Sequence, residues 1–157
     1  MSWVKIWVHM VFSTKDGTPF LNSLELRKKV FSHISENARE KGIWLDSVNG
    51  HKEHIHCLIS LGREQTISKI AQLIKGESSF WINKNKLIPQ HFSWQDDFWA
   101  VSVSESHVAA VRKYIDGQEN HHRTKSFTEE VDDFMQNMGG VIFQGKKKTN
   151  VAEARNY

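Results

Sequence analysis

Between Trp3 and Val103 the hydrophobic spacing switches repeatedly between the period of a strand and that of a helix, and the order of the switches restricts the fold. Trp3 to Ser13 alternates, with Val4, Ile6, Val8, Met10 and Phe12 on one side, which predicts a strand because alternate side chains share a face. Asp16-Gly17 and Pro19 then mark a loop. Ser23 supplies a capping oxygen for a helix to about Lys41, with Leu26, Val30, Ile34 and Ala38 spaced four apart and Gly42 ending it. Residues 43–49 and 55–61 are short apolar runs around Gly50-His51-Lys52-Glu53, the pattern of a β-hairpin. Thr66 caps a second helix to about Lys84, with Ile67, Ile70, Ala71 and Ile74 on its buried stripe. Gly76 inside that helix costs about 1 kcal/mol against alanine. Past Pro89, residues 98–103 read as the last strand, and Ser104 or Ser106 opens a helix to about Asn120. Phe127, Val131, Phe134 and Met138 trace a further amphipathic helix, stopped by Gly139-Gly140.

The order β-α-β-β-α-β predicts an α+β fold of ferredoxin-like type, an antiparallel sheet with helices on one face, extended by C-terminal helices. Residues 1–140 read as one domain and 141–157 as a loosely ordered basic tail carrying Lys146-Lys147-Lys148. A content of 39% hydrophobic residues in 157 is enough for a core without covalent staples. The single cysteine, Cys57, excludes an internal disulfide and a multi-cysteine zinc site, and predicts a reducing, cytoplasmic setting. Lys5 and His9 break the apolar start, which lacks a basic leader region and a cleavage site, and no run is long enough to span a bilayer. A net charge of +3 permits a polyanionic partner without requiring one.

Residues 51–61 read His-Lys-Glu-His-Ile-His-Cys-Leu-Ile-Ser-Leu. On a strand His54 and His56 point to one face, while Ile55, Cys57 and Ile59 point to the other, into the core. Two imidazoles one strand repeat apart can share a metal ion, and a core strand holds them rigidly. With nine histidines in the chain, about half of one His-x-His pair is expected by chance, so the pair alone carries little. Farther on, Tyr114 and Gln118 lie four apart and so share a helix face, one turn from each other. Val108, Val111 and Ile115 form the neighbouring stripe that docks the helix. A lone tyrosine in such a place is ordinarily a boundary aromatic with its hydroxyl in water. Gly117 either admits another backbone or nucleic acid closely, or is merely tolerated.

Together these pieces resemble the single-tyrosine HUH transposases of the insertion-sequence-200/605 type, REP-associated tyrosine transposases included. The family's His-hydrophobic-His motif is matched by His54-Ile55-His56, and its Tyr-x-x-x-Gln helix by Tyr114 and Gln118. Val11 to Lys15, Ile74 to Ser79, Phe92 to Gln95 and Ser102 to Ser104 also look like it, in matching order from about Val4 to Arg123. Glu53 stands where relatives commonly carry aspartate, and His121 and His122 follow the helix as competing ligands or DNA contacts.

The resemblance implies a DNA transposase that cuts and rejoins single-stranded DNA. Tyr114 would be the nucleophile, and His54, His56 and Gln118 would hold Mg²⁺ or Mn²⁺. The intermediate would be a 5′-phosphotyrosine with a free 3′-OH, formed without a nucleotide cofactor. It further implies DNA hairpins at element ends as partners, and a homodimer whose exchanged helices make composite sites. Exposed cations and stacking groups would contact DNA: Lys75, Arg112, Lys113, Arg123 and Lys125, with Trp81, Trp94 and Trp99 as base platforms. Solvated helix faces and core tryptophans are the ordinary alternative for those residues. Three other functions share parts of this pattern: a domesticated relative processing chromosomal palindromic repeats, a non-cleaving single-stranded DNA-binding regulator, and a small metal hydrolase. The last leaves the tyrosine helix unexplained.

Overall fold

A computed structural model of the chain describes residues 1–122 and 126–137. Arg123, Lys125, Met138, Gly139-Gly140 and the basic tail lie outside the described residues, as do the side chains of Val131 and Phe134.

The elements run β1 (Ile6–Ser13), α1 (Leu24–Glu40), β2 (Trp44–Gly50), β3 (His54–Leu61), α2 (Ile67–Lys84) and β4 (Trp99–Val103). Three helices follow: α3 (Val108–Asp116), α4 (Gln118–His121) and α5 (Phe127–Asn137). The strands form one antiparallel sheet in the order β2-β3-β1-β4, so the chain is α+β with the expected βαββαβ core. Both predicted caps form: Ser23 Oγ accepts from the Leu26 amide at 3.1 Å and Thr66 Oγ1 from the Lys69 amide at 3.2 Å. The β2–β3 hairpin closes at a point only glycine can occupy. A Cβ on Gly50 would stand 2.1 Å from the carbonyl oxygen of His54.

On one face of the sheet, Met10, Phe12, Ile55, Cys57 and Ile59 pack under α1 and α2 against Val30, Ile34, Ile70 and Ile74. The two helices of the core thus lie on one face as expected, and the additional helix α3 lies across the opposite face. There Leu58 is fully buried with Val108, Val111 and Ile115. The reason is visible in β3, which follows His54 and His56 with an apolar residue on the same face. Leu58 gives the α3 stripe something to bury.

Two boundaries also differ. Residues 3–5 do not join β1, because Ile6 already pairs with Leu61, the last residue of β3. Val4 is accordingly 38% exposed, and Ile6, at the end of the strand, is 46% exposed instead of in the core. The single helix expected from Ser104 to Asn120 is a 3₁₀ turn at Glu105–His107, then α3, then α4 after Gly117. A Cβ on Gly117 would meet only the helix's own Lys113 and Tyr114 carbonyls, at 3.3 and 3.7 Å. The glycine therefore marks the break between α3 and α4. Among the described residues, no helix is long and apolar enough to cross a membrane.

Candidate metal centre and tyrosine site

Antiparallel partners share a face, so the register of β1 and β3 decides what surrounds the histidines. Ser13 pairs with His54, Val11 with His56 and His9 with Leu58, which puts His9 on the histidine face. Trp99 of β4 pairs with Val11 and joins them. The α3 helix lies over this surface, bringing the Tyr114 ring to 5.6 Å from that of His56, centre to centre. Asn49 Nδ2 of β2 donates to the Ile115 and Asp116 carbonyls at 3.0 and 3.3 Å, satisfying the helix C-terminus. Next along, buried Arg27 of α1 grips Glu119 of α4 through two bonds of 2.7 and 3.0 Å. Tyr114 and Gln118 are thus held from the sheet edge and from α1.

Each histidine of the pair has its Nδ1 occupied by a neighbour. His54 Nδ1 lies 2.8 Å from Glu53 Oε1, and His56 Nδ1 lies 2.9 Å from His9 Nε2. A carboxylate only accepts, so His54 carries its proton on Nδ1 and turns Nε2 inward. Glutamate at position 53 therefore does for the imidazole what an aspartate could do.

What fills the centre comes from α5. Glu130, 1% exposed, places Oε1 2.9 Å from His56 Nε2 and Oε2 3.3 Å from His54 Nε2. Its Oε2 also pairs with His122 Nε2. Gln118 Nε2 donates to Glu130 Oε1 at 2.7 Å, and the Tyr114 hydroxyl donates to the same oxygen. Gln118 Oε1 lies 3.1 Å from both His54 Nε2 and His122 Nε2. Phe127, one turn earlier on α5, stacks on the His54 ring at 4.0 Å.

The electrostatics follow from this crowding. Burial pushes the Glu130 carboxyl up, but its contacts with His122, His54 and His56 outweigh that and hold it far below the usual carboxylate range. Burial alone would lower His54; Glu130 and Glu53 reverse the balance and raise it. His56, mainly through burial, is pushed down to about 4. Burial and the Glu130 charge raise the Tyr114 phenol above its ordinary value, so here it rests protonated.

The family model described as "Transposase IS200 like" matches residues 2–118, which takes in β1 through Gln118. The chain belongs to the IS200-like transposase family. Among solved structures, a candidate transposase from Deinococcus radiodurans R1 superposes with a TM-score of 0.60 at 20% identity, covering 74% of this chain and 93% of that one. A REP-associated tyrosine transposase bound to a REP hairpin gives 0.52 at 16% identity, covering 96% and 90%. At those identities the likeness shows a shared fold. No curated protein sequence matches at a significant level.

Within this IS200-like chain, the residues expected to touch DNA divide. Lys113 is exposed on α3. Arg112 is paired with Asp46 of β2 at 2.8 and 3.1 Å. Lys75 lies on the α2 side of the sheet, away from the histidines, with Nζ 2.6 Å from the Asp96 carbonyl. Trp94 is not a base platform. It is 5% exposed, bonds Ser78 Oγ through Nε1 at 2.8 Å and packs edge-on against Phe12 and Phe92. Half-buried Trp81 stacks flat on His33, and half-buried Trp99 stands edge-on to His9.

Two residues of the site were missed in the sequence. His9 had a signal, since the alternation of β1 leaves it on the face opposite Met10 and Phe12. Glu130 had none, because only the path of the chain after α4 carries it to the histidines.

Proposed function

We propose that this chain is a metal-dependent, single-tyrosine nuclease and strand transferase acting on single-stranded DNA beside a hairpin. One observation carries the reading. The Tyr114 hydroxyl and the Gln118 amide meet the same carboxylate that lies against both His54 and His56. The residues fit a divalent cation. His56 Nε2 and Glu130 Oε2 are buried yet make no hydrogen bond of proper geometry among the described residues. Facing them are an amide oxygen and a second imidazole Nε2, a mixed nitrogen and oxygen set suited to Mg²⁺ or Mn²⁺. His54, His56 and Gln118 would hold the cation. When bound, it would offset the charge of the scissile phosphate and of the departing alkoxide.

In this reading Tyr114 attacks the phosphorus in line with the 3′ oxygen. The tyrosine–phosphorus bond forms as the bond to that oxygen breaks, and the proton lost by the phenol balances the one gained by the 3′-OH. The resulting 5′-phosphotyrosine retains the bond's free energy, so attack by another 3′-OH rejoins strands without a nucleotide cofactor. Trp99, Lys113 and the two cations at 123 and 125 are candidate contacts for the strand. The hairpin substrate is suggested by the REP-bound neighbour. Lone, buried Cys57 and a DNA substrate suit the cytoplasm. Tyr114, Gln118, His54 and His56 come together within one chain, and the two-chain composite implied by the resemblance is the alternative arrangement. We read the site as assembled in cis.

The test is a hairpin oligonucleotide with single-stranded flanks, incubated with the protein and Mn²⁺ and run on a denaturing gel. A covalent protein–DNA adduct is expected, lost in Tyr114→Phe and on chelation. An adduct that survives Tyr114→Phe removes the assigned nucleophile. Activity regained by mixing Tyr114→Phe with His56→Ala removes the single-chain site.

A further inference from the structure

The centre of the site holds more acceptors than its own protons can satisfy. His54 has given its Nδ1 proton to Glu53, yet its Nε2 faces two oxygens, Gln118 Oε1 at 3.1 Å and Glu130 Oε2 at 3.3 Å. His122 Nε2 faces the same two oxygens from the other side. An imidazole lone pair against a carboxylate and an amide oxygen is repulsive unless a positive charge lies between them. Either the His54 ring takes on a second proton or a cation occupies the cluster. The spacing suits the cation. Adjacent ligands of a six-coordinate ion bound at about 2.1 Å stand about 3.0 Å apart. Here the imidazole–oxygen contacts within the cluster run from 2.5 Å, His122 with Glu130, to 3.3 Å, His54 with Glu130. His54, His122 and Glu130 each offer one ligand atom within 4.8 Å of the others.

We propose that Glu130 and His122 are themselves ligands of the cation, so that α4 and α5 complete the site from within the chain. This rests on the metal-dependent reading above and extends it. The ligands then include the His54 and His122 imidazoles and the Glu130 carboxylate, beside the Gln118 amide oxygen, while His56 Nε2 lies against Glu130 Oε1. Among the described residues, the carboxylate supplies the only full negative charge in direct contact with the His54–His56 pair apart from Glu53, which is turned to Nδ1. Its removal therefore weakens cation binding more than the loss of any single neutral donor. Phe127 stacked on His54 keeps α5 seated over the centre.

The experiment is Mn²⁺ titration of the full chain without DNA, with free Mn²⁺ read by electron paramagnetic resonance. Wild type, Glu130→Gln, Glu130→Asp, His122→Ala and His56→Ala are compared. Melting of the same samples with and without Mn²⁺ gives a second readout, since a ligand bound only by the folded state raises Tm. Glu130→Gln is expected to weaken Mn²⁺ at least tenfold and to abolish the Mn²⁺-induced rise in Tm, while still melting cooperatively. Glu130→Asp, which keeps the charge on a shorter arm, is expected to fall between Glu130→Gln and wild type. His122→Ala is expected to lose about fivefold or more. If Glu130→Gln binds Mn²⁺ within twofold of wild type, or more tightly, while His56→Ala loses binding, the proposal is overturned and the two-histidine site stands. In that case Glu130 competes with the cation instead of binding it. If Glu130→Gln does not melt cooperatively, Glu130→Asp decides, and wild-type affinity in that variant with His122→Ala unimpaired overturns the proposal. If wild type binds no Mn²⁺, both readings fail together.

Discussion

Ile115→Ala tests the contact on which the position of Tyr114 depends. Ile115 is 0% exposed and sits between Val111 and Leu58, where α3 meets the histidine face of β3. Truncation removes three carbons from a cluster with only four buried members, Leu58, Val108, Val111 and Ile115. Isoleucine-to-alanine changes in cores cost about 2–5 kcal/mol, depending on how far the site collapses. Trp7, Val103 and Tyr114 pack at the margin of this cluster and can move inward. About 3 kcal/mol is therefore the expected cost. For a domain of this size each kcal/mol lowers Tm by about 2–4 °C, so a drop of about 6–12 °C follows. Urea unfolding followed by tryptophan fluorescence and circular dichroism gives the free energy, and amide exchange shows where it falls. The α3 amides are expected to exchange faster than those of α1 and α2. Ile115→Val, which removes one methyl, is expected to cost about 1 kcal/mol and keep the docking. A cost below about 1 kcal/mol for Ile115→Ala, with α3 exchange unchanged, would mean that α3 is not seated on the sheet. The distances between Tyr114 and the histidines would then lose their basis.

Two further outcomes are expected. Gly50→Ala forces a Cβ to within 2.1 Å of the His54 carbonyl, a clash with backbone that the hairpin relieves only by opening. It should lower stability by about 1–3 kcal/mol and weaken Mn²⁺ binding as His54 shifts; an unchanged Tm would contradict the close approach. Cys57 is fully buried on the opposite face of β3, and burial pushes its thiol up. A disulfide reagent should label it about a hundredfold slower in the folded protein than in urea, and rapid labelling of the native state would place Cys57 outside the core.

Part of the candidate site is legible in the amino-acid order. Strand alternation alone puts His54 and His56 on one face, and helix spacing puts Tyr114 beside Gln118. The caps at Ser23 and Thr66 and the hairpin at Gly50 are equally local, because each depends on residues a few positions apart. Local rules fail where partners are remote. Val4 alternates properly yet lies exposed, since β3 ends before it can pair with residues ahead of Ile6. Trp94, a candidate base platform in the sequence, is spent by the fold on Phe12, Phe92 and Ser78.

The amino-acid order by itself determined the βαββαβ core, the family resemblance and the shared face of the histidine pair. The core and the shared face are set by periodicity and capping, interactions that reach no farther than one turn or one strand repeat, and the resemblance by the motifs at His54-Ile55-His56 and at Tyr114 with Gln118. Tertiary structure alone decided what the pair faces. Burial of Leu58 draws α3 across the second face, the register of β1 sets His9 against His56, and α5 delivers Glu130 from 74 residues beyond His56. A carboxylate that far along the chain leaves no local trace, because its partners are chosen by how helices pack over the sheet and by the cost of leaving its charge buried without them.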